Sequence, residues 1–335
     1  MSRNASPPWP TSDAVDLATL IRQAANRLQA AGVPTPRVDA ELLAGHVLNA
    51  GRGEIQARAI TGGELSPQAA ARYEELVAER ARRIPLQHLT GSTGFRQLNL
   101  QVGPGVFIPR PETETVVEAA LAEIDALIAA GVEHPRVIDL GTGSGAIAAS
   151  IATERPQTQV HAVEVSAEAA AWAELNFRQL PAGSAAVTLH RADLRQLPAQ
   201  LFEERFDVVV SNPPYIPESM EPVDPEVAEH DPELALYGGG EDGLELPRAV
   251  IATALKLLRP AGWFILEHAE VQAEALQRIC QAESELREVT THRDLTGRQR
   301  ATSARLGSTI RDRKLAEGAP HSAQTPGVGD TTARE

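Results

Sequence analysis

Apolar positions near the start of the chain recur at helical spacing: Val15, Leu17, Leu20, Ile21 and Leu28 fall on one face, Thr11-Ser12-Asp13 offer caps ahead of them, and Gly32 and Pro34 stop the run. The pattern predicts a first helix. A second is predicted over residues 38–48, closed by Gly51, and a third runs from Ser66-Pro67, cap and first turn, to about Arg83. Residues 11–91 thus read as a small helical N-terminal domain, and the helices alone leave open whether it is a structural cap or grips a substrate. Residues 1–10 are polar and proline-rich and read as a disordered leader. At 94–102 the period changes to two, with Leu98, Leu100 and Val102 alternating with polar neighbours before Gly103-Pro104-Gly105 turn the chain, so residues 92–110 are expected to form a β-hairpin linker.

From residue 111 onward, short apolar runs alternate with helical patterns. Strands are expected at 136–140, 159–165, 186–190, 206–211 and 263–267, and helices near 112–130, 145–154, 167–179, 245–258 and 269–279. Such alternation over 111–306 predicts an α/β domain. Its sheet should be mostly parallel and covered on both faces, with ligands at the carboxyl ends of the strands. Residues 287–306 can add edge strands, and 307–335, with no Phe, Trp or Tyr, are expected to be a disordered tail.

Composition narrows the function. A chain of 335 residues has room for about two domains, and 42% hydrophobic residues allow a real core. The formal charge of −14 repels polyphosphate, so no stable nucleic-acid binding is expected, although screening over about 8–10 Å would let a local basic patch act on its own. A single cysteine, Cys280, excludes an internal disulfide and a cysteine-rich metal site, and the histidines show no metal-ligand spacing, so no metal is expected. Without a signal-type apolar segment or an uncharged stretch of about 18 residues, the chain reads as soluble and cytoplasmic, with no membrane role.

The run Arg136-Val-Ile-Asp-Leu-Gly-Thr-Gly-Ser-Gly145 is a strand followed by a glycine turn at the start of a helix. Glycine permits positive φ and lets backbone N–H groups approach a ligand at a helix N-terminus, which suits a nucleotide-type ligand. The spacing G-x-G-x-G, with no P-loop lysine, argues against a pyrophosphate. Glu164, ending the next strand, is placed to accept a ribose diol, and Asp193, after the strand beyond, to accept an adenine amino group. Plainer alternatives stand beside these: a tight turn, an exposed strand end, and a helix N-cap at Asp193.

Asn212-Pro213-Pro214-Tyr215 follows a buried strand on the ligand face. The two prolines remove backbone donors and fix φ, leaving the carbonyls of Asn212 and Pro213 as acceptors beside the Asn212 side-chain oxygen. Such a cluster suits a planar –NH2 group whose lone pair faces an electrophile while Tyr215 packs on the planar face. The alternative is a proline-stiffened exposed loop.

Asp139-Leu-Gly-Thr-Gly-Ser-Gly145, Glu164 and Asn212-Pro-Pro-Tyr215 together resemble S-adenosylmethionine-dependent N-methyltransferases acting on planar amino or amide nitrogens. More narrowly, Phe107-Ile-Pro-Arg-Pro-Glu-Thr-Glu114, Asp231-Pro-Glu-Leu-Ala-Leu-Tyr-Gly-Gly-Gly-Glu-Asp-Gly-Leu244 and Asp294-Leu-Thr-Gly-Arg-Gln-Arg300 resemble the HemK-type peptide chain release factor glutamine N5-methyltransferases, over roughly residues 13–306. The resemblance implies a Rossmann-like seven-stranded sheet with a small N-terminal helical bundle joined by a β-hairpin. It implies S-adenosyl-L-methionine as cofactor, bound by Gly141, Thr142, Gly143, Ser144, Gly145, Glu164, Asp193, Leu194 and Asn212, with Asn212, Pro213, Pro214 and Tyr215 binding substrate and serving catalysis. The implied substrate is the glutamine of the Gly-Gly-Gln tripeptide in class I release factors, the product is N5-methylglutamine, and the enzyme is expected to act as a monomer. A ribosomal-protein glutamine methyltransferase and an N6-adenine nucleic-acid methyltransferase are the alternatives. The chain departs from the family pattern at Ala269, where glycine is usual, at His88, where an aromatic is usual, and in its long tail. Arg110 has no assigned role, and the cations His292, Arg293, Arg298 and Arg300 read equally as a solvated rim or a docking site.

Overall fold

The computed structural model describes residues 15–307, so the expected leader, the caps at Thr11-Ser12-Asp13 and the tail from 308 lie outside the described residues. Helix α1 (Leu17–Ala30) starts later than its apolar pattern, because Asp16 is its cap and accepts the Thr19 N–H at 2.8 Å. Val15 and Asp16 form a two-residue strand, β1, antiparallel to β2 (Glu64–Leu65). Helix α2 (Pro36–Leu48) begins at its proline, and α4 (Pro67–Ala81) is capped by Ser66 as expected. In this domain two helices went unpredicted, α3 (Arg52–Ile60) and α5 (Leu86–Thr90), as did three short ones further along the chain, at Ala199–Glu204, Pro225–His230 and Glu233–Leu236. Helix α3 buries only Ile55 and α5 nothing fully, so neither carries an apolar stripe to read.

The hairpin is β3 (Ser92–Phe95) and β4 (Leu98–Gln101), and its turn falls at Arg96-Gln97 rather than at Gly103-Pro104-Gly105. Arg96 accepts a left-handed φ of 50° there because its N–H donates to Glu114 at 3.0 Å and its guanidinium bridges Glu154 and Glu118. These tertiary bonds offset a backbone cost of about 1–2 kcal/mol.

A 3-10 turn (Pro111–Thr113) opens α6 (Glu114–Ala129). Then follow β5 (Arg136–Leu140), α7 (Ala146–Glu154), β6 (Gln159–Glu164), α8 (Ala167–Arg178), β7 (Val187–Arg191), α9 (Ala199–Glu204) and β8 (Phe206–Ser211). Short α10 (Pro225–His230) and α11 (Glu233–Leu236) precede α12 (Glu245–Leu257), β9 (Leu258–Glu267), α13 (Ala273–Ala282), β10 (Leu286–Arg293) and β11 (Gln299–Leu306). The seven-stranded sheet has the order β10-β11-β9-β8-β5-β6-β7. Strands β5 to β9 run parallel, while β11 is antiparallel to both β9 and β10. Strand β9 starts five residues before its apolar run, through a bulge beside Phe206 and Val208. All six residues of β8 are buried, with α6 and α7 packed on one face of the sheet and α12 and α13 on the other. From β5 the chain moves outward to β6 and β7 on one side and to β8 and β9 on the other. The crevice at the carboxyl ends of β5, β6 and β8 is therefore the topological switch point of the sheet.

Asn176, buried on α8, ties the hairpin to that crevice. Its Oδ1 accepts the Gln101 N–H at 2.7 Å, and its Nδ2 donates to the carbonyls of Gln101 (3.0 Å) and Ser144 (2.9 Å). Replacement by an isosteric apolar residue leaves three backbone groups unpaired. Asn176→Leu is expected to cost about 3 kcal/mol and to lower the thermal midpoint by roughly 6–12 °C; a midpoint within about 2 °C of wild type, measured by calorimetry, would contradict this role.

Candidate functional site

Leu140 ends β5, and the glycine turn that follows is held by β6: the N–H groups of Gly141 and Thr142 both donate to Val163 O at 2.9 Å. Gly141, Gly143 and Gly145 have φ of 77°, 57° and 86°. A Cβ on Gly141 or Gly143 would meet nothing within 4 Å, so their backbone faces open space. Gly145 is different: its Cβ would lie 2.6 Å from Phe177 Cε1, so it serves close packing of α7 on α8 and does not line the cavity with the other loop residues.

Glu164 is buried at the end of β6, with Oε2 accepting the Gly143 N–H and Oε1 the Ser166 N–H, both at 2.8 Å. Each oxygen keeps a second lone pair, on a residue that lines the cavity. Asp193 is not a helix N-cap, since α9 starts only at Ala199. Instead it closes an Asx turn on the Arg195 N–H at 2.9 Å and pairs with the Arg195 guanidinium at 2.6 Å, which holds its carboxyl below the usual carboxylate range. Under the loop, Asp139 is fully buried. One oxygen accepts the Thr142 hydroxyl at 2.6 Å and the other has no partner among the described residues; burial pushes the carboxyl up to about 7.

Strand β8 ends at Ser211, whose hydroxyl donates to Leu140 O at 2.6 Å, and the chain turns outward through Asn212-Pro213-Pro214-Tyr215. Asn212 donates from Nδ2 to Thr113 Oγ1 at 3.1 Å. Its Oδ1 and the carbonyls of Asn212 and Pro213 accept no hydrogen bond among the described residues. The Tyr215 carbonyl is held by Gln272 Nε2 at 2.8 Å, and its hydroxyl lies 3.4 Å from Glu267 Oε1. Burial and the neighbouring Glu267 charge push the Tyr215 hydroxyl well above its usual range, and burial pushes Glu267 itself up to about 7. The Gly238–Gly240 stretch packs beneath this turn, since a Cβ on Gly238 would lie 2.7 Å from Pro214 O. Ile216 and Gly238 complete the seam: Ile216 N–H donates to Leu236 O at 2.9 Å, and Gly238 N–H to Ile216 O at 3.0 Å.

These elements enclose a cavity of about 340 Å³. It brings together Gly141, Thr142, Gly143, Ser144, Glu164, Asp193, Leu194, Asn212, Pro213, Pro214 and Tyr215, eleven of the twelve residues expected from the sequence. Phe107, Thr113 and Ile147 also line it and were not expected. Arg110 lies at its wall, over the Phe107 ring and paired with Asp231 at 2.8 Å, so it joins the linker to the segment after α10. The cations of the β10–β11 turn do not line it: Arg300 pairs with Asp294 at 3.0 Å and Arg293 donates to Gly297 O at 2.7 Å. Cys280 is buried in the core, where desolvation pushes its thiol up to about 12.

The open backbone at Gly141 and Gly143, the free lone pairs of Glu164 and the apolar walls from Ile147 and Leu194 fit an adenosine-bearing ligand. With the switch-point crevice, they define a Rossmann-like methyltransferase, the class whose cofactor is S-adenosyl-L-methionine. Residues 132–315 match the family model described as a methyltransferase domain, and residues 19–91 match that of the PrmC N-terminal domain. The chain is 47% identical over 290 residues to the release factor glutamine methyltransferase of Streptomyces coelicolor, covering 85% of this chain and 96% of that protein. It is 44% identical over 291 residues to the protein of that name from Mycolicibacterium smegmatis, covering 86% and 97%. For the one from Deinococcus radiodurans the identity is 39% over 295 residues, covering 87% and 99%. The chain belongs to the release factor glutamine methyltransferase family. Among the described residues, no helix is long and apolar enough to cross a membrane.

Gly145→Ala tests the division within the glycine loop. The left-handed φ and the Phe177 contact together are expected to cost about 2–4 kcal/mol in folding. Chemical denaturation would reveal this as an earlier midpoint at unchanged slope, and an unshifted midpoint would mean that Phe177 yields without cost.

Proposed function

We propose that the protein transfers the methyl group of S-adenosyl-L-methionine to the side-chain amide nitrogen of the Gly-Gly-Gln glutamine in class I peptide chain release factors. The products are N5-methylglutamine, S-adenosylhomocysteine and a proton, which the alkylated nitrogen gives up to water, and the enzyme works in the cytoplasm as a monomer. The observation that carries this reading is the unpartnered acceptor set at Asn212 and Pro213 in the cavity wall, in a chain whose relatives bear that name. Gly141, Thr142, Gly143, Ser144, Glu164, Asp193, Leu194 and Asn212 are the residues that would hold the cofactor, with Gly145 shaping their loop. Bound there, the cofactor supplies an electrophilic methyl group.

The protein's task is then alignment and exclusion of water, and a strong base is not required. An amide nitrogen is a weak nucleophile because its lone pair is delocalised into the carbonyl. Acceptors at Asn212 Oδ1 and the Pro213 carbonyl bind both N–H bonds, turn the lone pair toward the methyl group, and stabilise the positive charge that develops on those hydrogens. Tyr215 and Pro214 supply a surface for the planar amide.

Within this reading, residues 11–91 form the recognition domain, 92–110 the linker and 111–306 the catalytic domain. Support comes from the contacts of α4 with α10, which sends Val227 into the cavity wall. Glu226 of α10 accepts from Arg83 Nε at 2.7 Å and from Arg80 at 2.8 Å. Although burial raises it, these arginines hold the Glu226 carboxyl down at about 2. A body that grips the release factor would therefore be coupled to the wall of the cavity.

Labelled methyl transfer to a purified class I release factor, to its Gly-Gly-Gln variant with glutamine changed to alanine, to ribosomal proteins and to adenine-containing RNA distinguishes the readings. Label is expected on the unaltered factor alone; label only on ribosomal protein or RNA would overturn the assignment. Asn212→Ala should lower kcat by about 100-fold while changing cofactor Kd by less than about threefold. Glu164→Ala should do the reverse, weakening cofactor binding at least about tenfold by titration calorimetry. Equal losses of both quantities in both variants would contradict the division of roles.

A further inference from the structure

Large apolar side chains that stand exposed are spread unevenly over this molecule. Of the eight among the described residues, Ile60 on α3 and Leu175 on α8 lie apart. The other six follow strand ends at the carboxyl edge of the sheet: Val165 after β6, Met220, Val223 and Leu234 after β8, Val271 after β9, and Leu295 in the β10–β11 turn. That turn belongs to this edge because β11 runs antiparallel to β9, so that Arg300 O accepts the His268 N–H at 2.9 Å just past the end of β9. The same edge holds the cavity. A small ligand is served by the cavity itself, whereas an apolar rim outside it suits a partner larger than the cavity. Leu295 is fully exposed, yet its turn is firmly built. Buried Asp294 accepts the N–H groups of Thr296 (2.8 Å) and Arg298 (3.0 Å) and the Thr296 hydroxyl (2.6 Å) on one oxygen, and Arg300 Nε (3.0 Å) on the other. Gly297, at a φ of 84°, donates to Asp294 O at 2.9 Å and closes the turn.

We propose that this rim is the docking surface for the body of a class I release factor, with Leu295 as its anchor. The proposal rests on the reading of that factor as substrate. A glutamine carried on a protein loop reaches the cavity only if the surface flanking the loop covers this edge. Strand β11 is two strands from β8, about 10 Å sideways, and a standard footprint of about 800 Å² reaches about 16 Å from its centre. Charge selects the occupant. Arg293 and Arg298 flank Leu295, both exposed and neither paired with a carboxylate among the described residues. The segment after β8 instead carries exposed Glu218, Glu221, Asp224, Glu229 and Glu233, with no lysine or arginine over 218–236. A polyphosphate would meet two cations, leave the leucine uncovered and face the five carboxylates. A protein patch with an apolar pocket and an acidic border fits Leu295 and its arginines, while basic groups of the same partner face the segment after β8. Opposite signs at the two ends of the rim admit one orientation of the partner. The hydrogen bonds of Asp294 hold the anchor ready, so that little conformational freedom is lost on binding.

Leu295→Ala and Arg298→Glu change exposed side chains outside the cavity, so both variants are expected to keep the wild-type thermal midpoint within about 2 °C. Leu295→Ala should weaken binding of a purified class I release factor at least about tenfold by calorimetry and raise its KM in methyl transfer to match, with kcat at saturation and cofactor Kd unchanged within about twofold. Arg298→Glu should weaken the factor about fivefold at low ionic strength, a loss that shrinks in about 0.5 M salt. Methyl transfer by both variants with the wild-type KM overturns the docking surface and leaves the proposed function standing. So does a fall in kcat with KM unchanged. Self-association or RNA binding that Leu295→Ala abolishes, with the KM for the factor untouched, overturns the choice of occupant. If wild-type protein transfers no methyl to the factor, the proposed function fails, while the calorimetric comparison of wild type and Leu295→Ala still decides whether the turn contacts the factor.

Discussion

At the carboxyl ends of β5 and β8 the parallel ladder runs out, and the polar backbone groups beyond it must find other partners or face the cavity. The two ends are resolved in opposite ways. Beyond β5 the surplus groups are N–H donors: those of Gly141 and Thr142 are absorbed by Val163 O, and that of Gly143 by the Glu164 carboxylate. Beyond β8 Pro213 and Pro214 have no N–H to offer, so the surplus there consists of acceptors, which the protein leaves unpaired. A glycine loop whose donors are engaged, leaving bare backbone and the Glu164 oxygens toward the cavity, and an acceptor-bearing proline turn thus stand side by side at one switch point. The first suits an adenosine-bearing ligand and the second an –NH2 group.

Leaving acceptors unpaired works only if their backbone cannot relax toward some other donor, and two buried carboxamides enforce this. Gln272 donates to both Tyr215 O (2.8 Å) and Asp242 O (2.9 Å) and accepts the Ala269 N–H at 3.1 Å, so it binds the proline turn to the segment that packs beneath it. Asn176 does the same between hairpin and glycine loop. Each carboxamide has both of its N–H donors and its oxygen engaged in fixing loop backbone, at a site too buried for water to substitute cheaply. Ala269 keeps its N–H bonded to Gln272 with φ at −67°, which explains why this position tolerates a residue other than glycine.

Features governed by neighbours in sequence were readable beforehand. The apolar runs of β5 and β8 gave their limits, since a strand buried on both faces has no polar alternation to blur them. Ser66 and Pro67 marked the start of α4, and the glycine and proline turns identified both sides of the cavity. What escaped depends on partners distant in the chain. The hairpin turned at Arg96 because of Glu114, Glu118 and Glu154, against the local preference for glycine. Asp193 closed a turn on Arg195 instead of capping a helix, because no helix starts there. Thr113, Glu267 and Gln272 touch the Asn212–Tyr215 turn across separations of 99, 52 and 57 residues, and no local pattern reports such contacts. Gly145 shared its loop's periodicity while answering to the Phe177 ring.

The charge around the cavity follows from the same arrangement. The two arginines in its wall are both neutralised, Arg110 by Asp231 and Arg195 by Asp193, and Lys256 and the cations of the β10–β11 turn lie elsewhere. Glu164 faces the cavity, while Asp139 and Glu267 sit behind its walls with carboxyls pushed up to about 7, so ionisation of either adds negative potential in a poorly screened interior. The local field therefore has the sign of the whole chain's −14 rather than opposing it. A field of that sign favours a ligand with a positive centre and raises the cost of bringing in a polyphosphate backbone, because among the described residues no unpaired arginine lines the cavity to meet the phosphates. Neither buried acid lines the cavity; Asp139 reaches its wall only through the Thr142 hydroxyl and Glu267 only through the Tyr215 hydroxyl, so neither stands where a base in contact with a bound substrate would.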